Sequence, residues 1–174
     1  MKKIGITGSL ASGKSTASRI LSYRKGPLFS ADKAVKKLYA KKSFKDLLSK
    51  KLKIKNPNLK NYIKKRILTD RPFLKKVEKA IHPLVRKEMK LFIKKNQDKK
   101  FTFFEIPLLV ESKLMKNFDV ILFIKSQKAV RLKRFRSKGG EEKVFHSLNK
   151  NQMTDIKKAK FCDYVVVNDK NIKF

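Results

Sequence analysis

The chain has 174 residues, of which 41% are hydrophobic, and it carries a formal net charge of +33 at pH 7. This length and composition suit one domain with a real hydrophobic core and exclude a chain that is disordered by composition. Its basic residues are 39 lysines and eight arginines, spread through most of the sequence. A nucleic-acid-binding protein would more often cluster its basic residues and use more arginine. We therefore favour a solvated surface that attracts anionic substrates over a specific nucleic-acid interface, with polyanion binding as the alternative.

The single cysteine, Cys162, excludes an internal disulfide and a zinc site made of several cysteines. It suits a reducing compartment, so we predict a cytoplasmic location. No apolar run in the sequence approaches the length that spans a membrane, and we expect no membrane association. The basic start at Lys2 and Lys3 resembles that of a secretory signal. The apolar stretch after it is short and continues into a glycine-rich loop, so we expect no signal peptide.

The strongest motif lies near the start of the chain, where residues 8–16 read Gly-Ser-Leu-Ala-Ser-Gly-Lys-Ser-Thr. These residues, called the phosphate loop below, match the phosphate-binding pattern G-x-x-x-x-G-K-[ST]. The residues before the loop predict a strand over 3–7, and those after it predict a helix over 17–23. A strand, a glycine-rich loop and a helix in this order are typical of a site for nucleotide phosphates. An ordinary glycine turn would not explain why Lys14 and Ser15 are both in register.

Each fixed position of the phosphate loop has a physical reason. Gly8 and Gly13 permit backbone angles and close approaches that a side chain would block. Successive N–H groups and the helix N-terminus can then hold phosphate oxygens. Lys14 is predicted to bridge the β- and γ-phosphates of ATP, and the Ser15 hydroxyl is predicted to ligate Mg²⁺. The predicted nucleotide-binding residues are Gly8, Ser9, Leu10, Ala11, Ser12, Gly13, Lys14, Ser15 and Thr16.

The middle of the chain predicts a short strand followed by basic helices. A turn leads into a second strand that ends near Ser30, and helical spacing of apolar residues predicts a helix after Asp32. From residue 41 to about 95 the pattern is helical, with a break at Asn56-Pro57-Asn58. A second interruption is expected at His82-Pro83. There His82 would cap a new helix, or Pro83 would kink a continuous one.

The last part of the chain predicts strands that alternate with helices. Val, Ile and Phe dominate the predicted strands with little alternation, which indicates burial on both faces. Alternation with helices predicts a parallel sheet in an α/β fold. The predicted elements are strands over 101–104, 120–124 and 164–167, a basic helix over 130–135 and a flexible break over 137–140.

Two acidic residues follow predicted strands, at the edge where open α/β sheets bind ligands. Asp32 could orient or deprotonate an acceptor hydroxyl, or it could cap the helix that begins there. Glu105 could organise Mg²⁺ and its water, or it could be a surface charge. The sequence spacing leaves both pairs of alternatives open.

Three arginines, Arg131, Arg134 and Arg136, precede the flexible break over 137–140. They could close over a triphosphate and neutralise charge in the transition state, or they could be isolated charges on a lysine-rich helix. His82 is interpreted as a cap or packing residue rather than an acid–base group. No cluster of metal-binding side chains is expected beyond the Mg²⁺ site.

Several segments together resemble the dephospho-coenzyme A kinase family, nearly from end to end. Residues 4–16 look like the opening of that family, and Ser30-Ala31-Asp32-Lys33 is similar to its Asp-Ala-Asp segment. Residues 78–86 resemble its block around a His-Pro pair, and residues 106–111 resemble its Pro-Leu-Leu-x-Glu block. The combination of these two blocks separates the family from other small P-loop kinases. The closing elements of the family are matched by Asn151-Gln152 and residues 162–168.

This resemblance implies an enzyme that phosphorylates the ribose 3′-hydroxyl of dephospho-coenzyme A with ATP, giving coenzyme A and ADP in the last step of coenzyme A biosynthesis. It implies a three-layer P-loop kinase fold, a five-stranded parallel sheet with helices on both faces. Residues 1–174 would form one such domain, with a helical acceptor-binding region over about 41–95 and a lid over about 134–143. The partner is a small molecule, and we expect a monomer or a small homo-oligomer.

The resemblance also assigns roles residue by residue. Asp32 matches the proposed catalytic base of the family, and Arg134 and Arg136 are rival matches for its lid arginine. Lys14 joins them as a catalytic residue, and Ser15 and Glu105 are the metal-site candidates. The predicted acceptor-binding residues are Asp32, His82, Arg86, Glu105, Pro107 and Leu108.

The chain departs from the family pattern in several places. Ser30 replaces the first acid of Asp-Ala-Asp, Glu105 stands where Asp is usual, and Lys60 falls near a usual Asp-Arg pair in a shortened segment. The lid lacks a clear Arg-Asp-Gly. One alternative function is another small-metabolite or nucleotide kinase. Alternatives of a different class are a P-loop GTPase, whose Asn-Lys-x-Asp is not matched by residues 149–152, and a nucleic-acid-binding ATPase suggested by charge alone.

Overall fold

Residues 1–170, which the computed structural model describes, form five strands, eight α-helices and one short 3-10 helix. In chain order these are β1 (Lys2–Gly8), α1 (Lys14–Ser22), β2 (Leu28–Ser30), α2 (Ala31–Ala40), α3 (Lys42–Leu52), α4 (Leu59–Arg66), α5 (Arg71–Lys95), β3 (Phe101–Glu105), the 3-10 helix (Met115–Asn117), β4 (Val120–Lys125), α6 (Lys128–Arg136), α7 (Glu142–Lys150), α8 (Asp155–Ala159) and β5 (Tyr164–Val167).

The chain divides into two compact units. The first unit comprises residues 1–30 together with the chain from residue 96 onward, and the second unit is Ala31–Lys95. The first unit contains all five strands of the described residues, and the second contains helices α2 to α5. That residues 1–174 act as a single P-loop kinase domain stays a prediction. Among the helices described, none is both long and apolar enough to cross a lipid bilayer.

The sheet of the first unit is parallel throughout and has the strand order β2-β3-β1-β4-β5. The predicted α/β class with a five-stranded parallel sheet is therefore confirmed. The central strand β1 pairs with β3 through Ile6 and Glu105 and with β4 through Gly8 and Ile124. Because parallel strands end at the same edge, this register puts the phosphate loop next to the end of β3.

The two faces of β1 pack against different elements. On one face Ile6, Phe103 and Ile124 form a buried cluster with apolar side chains of α1. On the other face Gly5 leaves room for the segment after β3, because a Cβ there would lie 2.8 Å from Leu109 Cδ1 and 3.0 Å from Phe118 Cγ. Each large side chain buried in this way contributes about 1.5–3 kcal/mol. These contacts hold the start of the phosphate loop on a rigid strand.

The edge strand β5 differs from the sequence expectation. Burial on both faces is predicted for its Tyr-Val-Val-Val run, but all four residues are exposed. The hydrophobic pattern finds the strand correctly, but it does not report the position of a strand in the sheet. An edge strand paired on one side only, with β4, has fewer neighbours to cover it.

The second unit has its own core of apolar side chains from all four helices. The buried members are Leu38, Phe44, Leu48, Ile54, Leu59, Ile63, Phe73, Val77, Ala80 and Ile81. Helix α5 runs unbroken for 25 residues with Pro83 inside it. The prediction that a new helix starts here with His82 as its cap is wrong. The continuous helix loses one main-chain hydrogen bond at Pro83 but keeps its apolar stripe on one face.

Candidate active site

The phosphate loop joins the end of β1 to the start of α1. Gly13 has φ = +89°, a left-handed conformation that favours glycine, and it directly precedes α1. Gly8 is needed for space, because a Cβ there would lie 2.5 Å from the Ile124 carbonyl oxygen. Ala11 also has positive φ, at 59°, which the sequence does not predict because alanine rarely adopts it. The predicted strand–loop–helix arrangement is present, and the helix begins at Lys14, earlier than the predicted residue 17.

Lys14, Ser15 and Thr16 form the first turn of α1. The ammonium group of Lys14 donates a hydrogen bond to the Ser9 carbonyl oxygen at 2.8 Å, so the lysine side chain folds back along the loop. The N–H groups in the first turn of a helix lack partners within the helix and carry partial positive charge. The loop therefore brings an ammonium group and a helix N-terminus to one place, which suits binding of phosphate groups.

Ser15 and Glu105 lie together at the edge of the sheet. The Ser15 hydroxyl donates a hydrogen bond to Oε1 of Glu105, the last residue of β3, whose side chain is buried. A hydroxyl and a carboxylate are oxygen ligands of the type that Mg²⁺ prefers, so these two residues fit a magnesium site. Within residues 1–170 no group of three or more His, Cys, Asp or Glu could hold a metal ion.

Four side chains from later in the chain bond to the phosphate loop. Ser9 donates to Asp155 Oδ1, and the Leu10 N–H donates to Gln152 Oε1 at 3.0 Å. Arg131 Nη1 donates to the Leu10 carbonyl at 3.3 Å, and Asn168 Nδ2 donates to the Ser12 carbonyl at 2.9 Å. Of these four, the sequence singled out only Arg131, as one of three arginines that could close over a triphosphate, and it did not predict the bond to the loop backbone. Gln152 and Asn168 lie in segments that resemble the family, and this resemblance could have pointed to them as site residues. Nothing in the sequence pointed to Asp155.

The three arginines of α6 have different surroundings. Arg131 is buried, with 5% exposure. Arg134 Nη1 donates to the Asn168 carbonyl at 2.8 Å, and the same atom would lie 3.8 Å from a Cβ at Gly13. Arg136 is exposed and pairs with Glu142 across the break that follows α6. Of the two rival lid arginines, Arg134 is therefore the one beside the phosphate loop.

Pro107 and Leu108 lie in the segment after β3. The Thr7 hydroxyl donates to the Pro107 carbonyl at 3.0 Å, and the Ile106 N–H donates to the Ile6 carbonyl at 3.0 Å. These bonds hold the segment beside the end of β1. Of the predicted acceptor-binding residues, Glu105, Pro107 and Leu108 are thus brought next to the phosphate loop.

The remaining predicted site residues belong to the second unit. Asp32 is exposed in the first turn of α2, which already includes Ala31. Of the two alternatives for Asp32, the helix cap is wrong, because α2 begins one residue earlier and Asp32 is its second residue. There its carboxylate still interacts favourably with the helix dipole.

His82 and Arg86 lie one turn apart on α5, His82 half-buried and Arg86 exposed. Burial lowers the pKa of His82, while Glu78 raises that pKa and Arg86 lowers it further. Because the lowered pKa favours the neutral imidazole at neutral pH, His82 offers hydrogen-bonding nitrogens rather than a positive charge.

Comparison with known proteins gives a consistent result. The chain matches the dephospho-CoA kinase family over residues 2–173. The dephospho-CoA kinase of Bartonella quintana is 34% identical, over 99% of this chain and 92% of that protein. The dephospho-CoA kinase of Protochlamydia amoebophila is also 34% identical, over 97% of this chain and 88% of that protein. A dephospho-CoA kinase structure from Campylobacter jejuni shares the fold, with a TM-score of 0.62, 24% identity and coverage of 98% and 90% of the two chains. The chain therefore belongs to the dephospho-CoA kinase family.

Proposed function

We propose that this chain transfers the γ-phosphoryl group of ATP to the ribose 3′-hydroxyl of dephospho-coenzyme A, releasing ADP and coenzyme A. The observation that carries the proposal is the phosphate loop, with Lys14 and Ser15 in register beside Glu105, in a chain that belongs to the dephospho-CoA kinase family. The GTPase alternative is disfavoured because residues 149–152 do not match the guanine-reading Asn-Lys-x-Asp.

On the nucleotide side, the N–H groups of the phosphate loop and the start of α1 bind the phosphate oxygens of ATP. Lys14 neutralises charge on the β- and γ-phosphates. Arg134 lies beside Gly13 and adds a second positive charge next to the loop. Phosphoryl transfer spreads charge over the equatorial oxygens of the transferring group, so catalysis depends mainly on positioned positive charge of this kind.

Ser15 and Glu105 are the residues that would hold Mg²⁺, because they put a hydroxyl and a carboxylate side by side next to the loop. The bound ion would neutralise charge on the β- and γ-phosphate oxygens. Glu105 replaces the aspartate that is usual in the family at this place and keeps the charge. Its burial limits water access to that carboxylate and strengthens its electrostatic effect.

On the acceptor side, Asp32 is the proposed base. Its carboxylate accepts the proton of the 3′-hydroxyl as the hydroxyl oxygen forms a bond to the γ-phosphorus and the bond to the β-phosphate oxygen breaks. ADP is the leaving group. The proposed acceptor contacts are Asp32, His82, Arg86, Glu105, Pro107 and Leu108.

The proposal also covers the partner, the location and the oligomeric state of the enzyme. Its small-molecule partner is dephospho-coenzyme A. It acts in the cytoplasm as a monomer or a small homo-oligomer. The single cysteine supports a reducing compartment. The high positive charge supports attraction of the two polyanionic substrates rather than a specific nucleic-acid partner.

The test is ADP release with a panel of acceptors, in which dephospho-coenzyme A is compared with adenosine, nucleoside monophosphates and shikimate. We expect kcat/KM for dephospho-coenzyme A to exceed that of every other acceptor by at least about a hundredfold, since discrimination of this size needs only a few kcal/mol of binding energy. A higher kcat/KM with another acceptor would replace the proposed substrate. Binding to random DNA over a salt titration tests the charge-based alternative, since a dedicated binder shows steep salt dependence.

A further inference from the structure

Both main-chain polar groups of Leu10, in the middle of the phosphate loop, bond to side chains from the later part of the first unit. Its N–H donates to Gln152 Oε1 at 3.0 Å, and its carbonyl accepts from Arg131 Nη1 at 3.3 Å. Gln152 follows α7, and Arg131 lies on α6. Two elements therefore fix the orientation of one loop residue.

Arg131 is itself held rigidly. Its Nε donates to the Ser126 carbonyl at 3.0 Å and its Nη1 to Asn149 Oδ1 at 2.7 Å, and only 5% of the residue is exposed. The planar guanidinium has a fixed fork of donors, so these bonds determine where the remaining donor points. A buried arginine with three hydrogen bonds to other parts of the chain suits the support of a loop rather than a mobile lid.

Gln152 is held through its neighbour in the chain. The Met153 N–H donates to Glu111 Oε1 at 3.1 Å, and Lys158 Nζ lies 2.9 Å from the same oxygen. The Lys158 side chain is fully buried. Because the Lys158 ammonium group is buried, the loss of Glu111 as its partner would be strongly unfavourable. The ion pair therefore holds the Glu111 carboxylate in place, and this carboxylate accepts the hydrogen bond from Met153, next to Gln152.

The conformation next to Leu10 explains why such support is needed. Ala11 has φ = 59°, which is unfavourable for a residue with a Cβ. An unfavourable backbone conformation persists only where surrounding contacts determine it. Contacts hold the residues on both sides of Ala11: Gln152 and Arg131 bond to Leu10 before it, and Asn168 bonds to Ser12 after it.

We propose that Gln152 and Arg131 are positioning residues that hold the phosphate loop in the conformation that binds ATP, and that the Glu111–Lys158 pair acts through Gln152. The inference rests on the proposed function only in taking ATP as the phosphate ligand. It assigns these four residues a role without any contact with substrate.

The test compares Gln152→Met with the parent protein and with Gln97→Met, a matched change at an exposed residue before β3. Methionine keeps the size of the side chain but cannot accept the hydrogen bond from Leu10. We expect ATP binding, measured by calorimetry without an acceptor, to weaken about tenfold, the effect of one lost hydrogen bond. The KM for dephospho-coenzyme A and the thermal midpoint should stay close to those of the parent. A folded Gln152→Met protein that binds ATP as tightly as the parent overturns the inference.

A second readout needs no nucleotide. By NMR, Gln152→Met should speed hydrogen exchange at the Leu10 amide and change the HN–Hα coupling of Ala11, which reports its φ. Lys158→Met should change the same signals, while Lys157→Met at the exposed neighbouring residue should not. If Lys158→Met does not fold, Glu111→Gln takes its place. Unchanged Leu10 and Ala11 signals in Gln152→Met also overturn the inference. A parent protein that binds ATP but does not phosphorylate dephospho-coenzyme A contradicts the proposed function alone.

Discussion

The Ser15 hydroxyl donates a hydrogen bond to Glu105 Oε1, although the two residues are 90 positions apart in the sequence. The contact follows from the sheet. Glu105 pairs with Ile6 in parallel register, and the phosphate loop begins two residues after Ile6. The first turn of α1 then brings Ser15 back to the end of β3. The two oxygen-bearing side chains thus meet at the proposed magnesium site.

Glu105→Gln tests this relationship. Glutamine keeps the size and an acceptor oxygen for Ser15 but removes the negative charge. We expect kcat/KM to fall about tenfold to a hundredfold, the usual effect of losing a group that orients a metal site, and the Mg²⁺ concentration for half-maximal rate to rise. The measurement is turnover across a Mg²⁺ titration. An unchanged Mg²⁺ dependence would show that Glu105 does not serve the ion.

The roles of Arg134 and Arg136 can be distinguished by replacing each arginine with alanine in a separate protein and measuring kcat at saturating ATP. Arg134 lies beside Gly13, whereas Arg136 forms an exposed ion pair with Glu142, a kind of interaction that usually contributes little. We expect Arg134→Ala to lower kcat at least about tenfold, corresponding to about 1.4 kcal/mol, and to exceed the effect of Arg136→Ala.

The control for both arginines is Lys133→Ala, which removes an exposed charge from the same helix. If Arg136→Ala has the larger effect, the lid arginine is Arg136. If neither variant differs from the control, the transition-state charge comes from elsewhere.

The strands, the phosphate loop and its neighbouring helix could be predicted from sequence because each depends on local pattern. Of the two alternatives at Pro83, the start of a new helix was wrong and the helix continues, because the apolar stripe of α5 outweighs the local cost of one proline. The contacts of Gln152 and Asp155 with the loop were not predicted, because they join residues more than 140 positions apart and depend on tertiary packing. The positive φ of Ala11 has the same origin, since no local signal favours it.

His82 gives a prediction about stability and pH. Burial lowers its pKa from the ordinary value of 6.5, so the unfolded chain binds more protons than the folded chain as pH falls below about 6.5. The contribution of His82 to the free energy of unfolding is therefore lost as pH falls from 6.5 through the lowered folded pKa. The His82→Gln protein should lose less stability over this pH range, because glutamine does not titrate. Urea unfolding at about pH 7.5 and pH 5.5 gives the free energy of unfolding of both proteins, and an equal decrease in the two would contradict the burial effect.

Asp32→Asn separates a catalytic from a structural role. Asparagine cannot hold a full charge or act as an effective base, and the lost interaction with the dipole of α2 costs about 0.3–1 kcal/mol. We expect the thermal midpoint to fall by no more than about 4 °C and turnover to fall by two to four orders of magnitude, on the order of a lost general base. ATP binding should persist. Normal turnover would remove Asp32 from the mechanism, and loss of ATP binding would indicate that Asp32 serves the magnesium site.

The central claim is tested most directly by ³¹P and ¹H NMR of the product formed from ATP and dephospho-coenzyme A, with Lys14→Ala as the matched inactive protein. We expect one new phosphomonoester signal coupled to the ribose H3′, formed in equal amount to ADP. Its rate should fall on the order of a thousandfold in Lys14→Ala, the effect of losing a charged contact in the transition state. A phosphate at any other position, ADP formed without a phosphorylated acceptor, or a Lys14→Ala protein of near-normal rate would contradict the account.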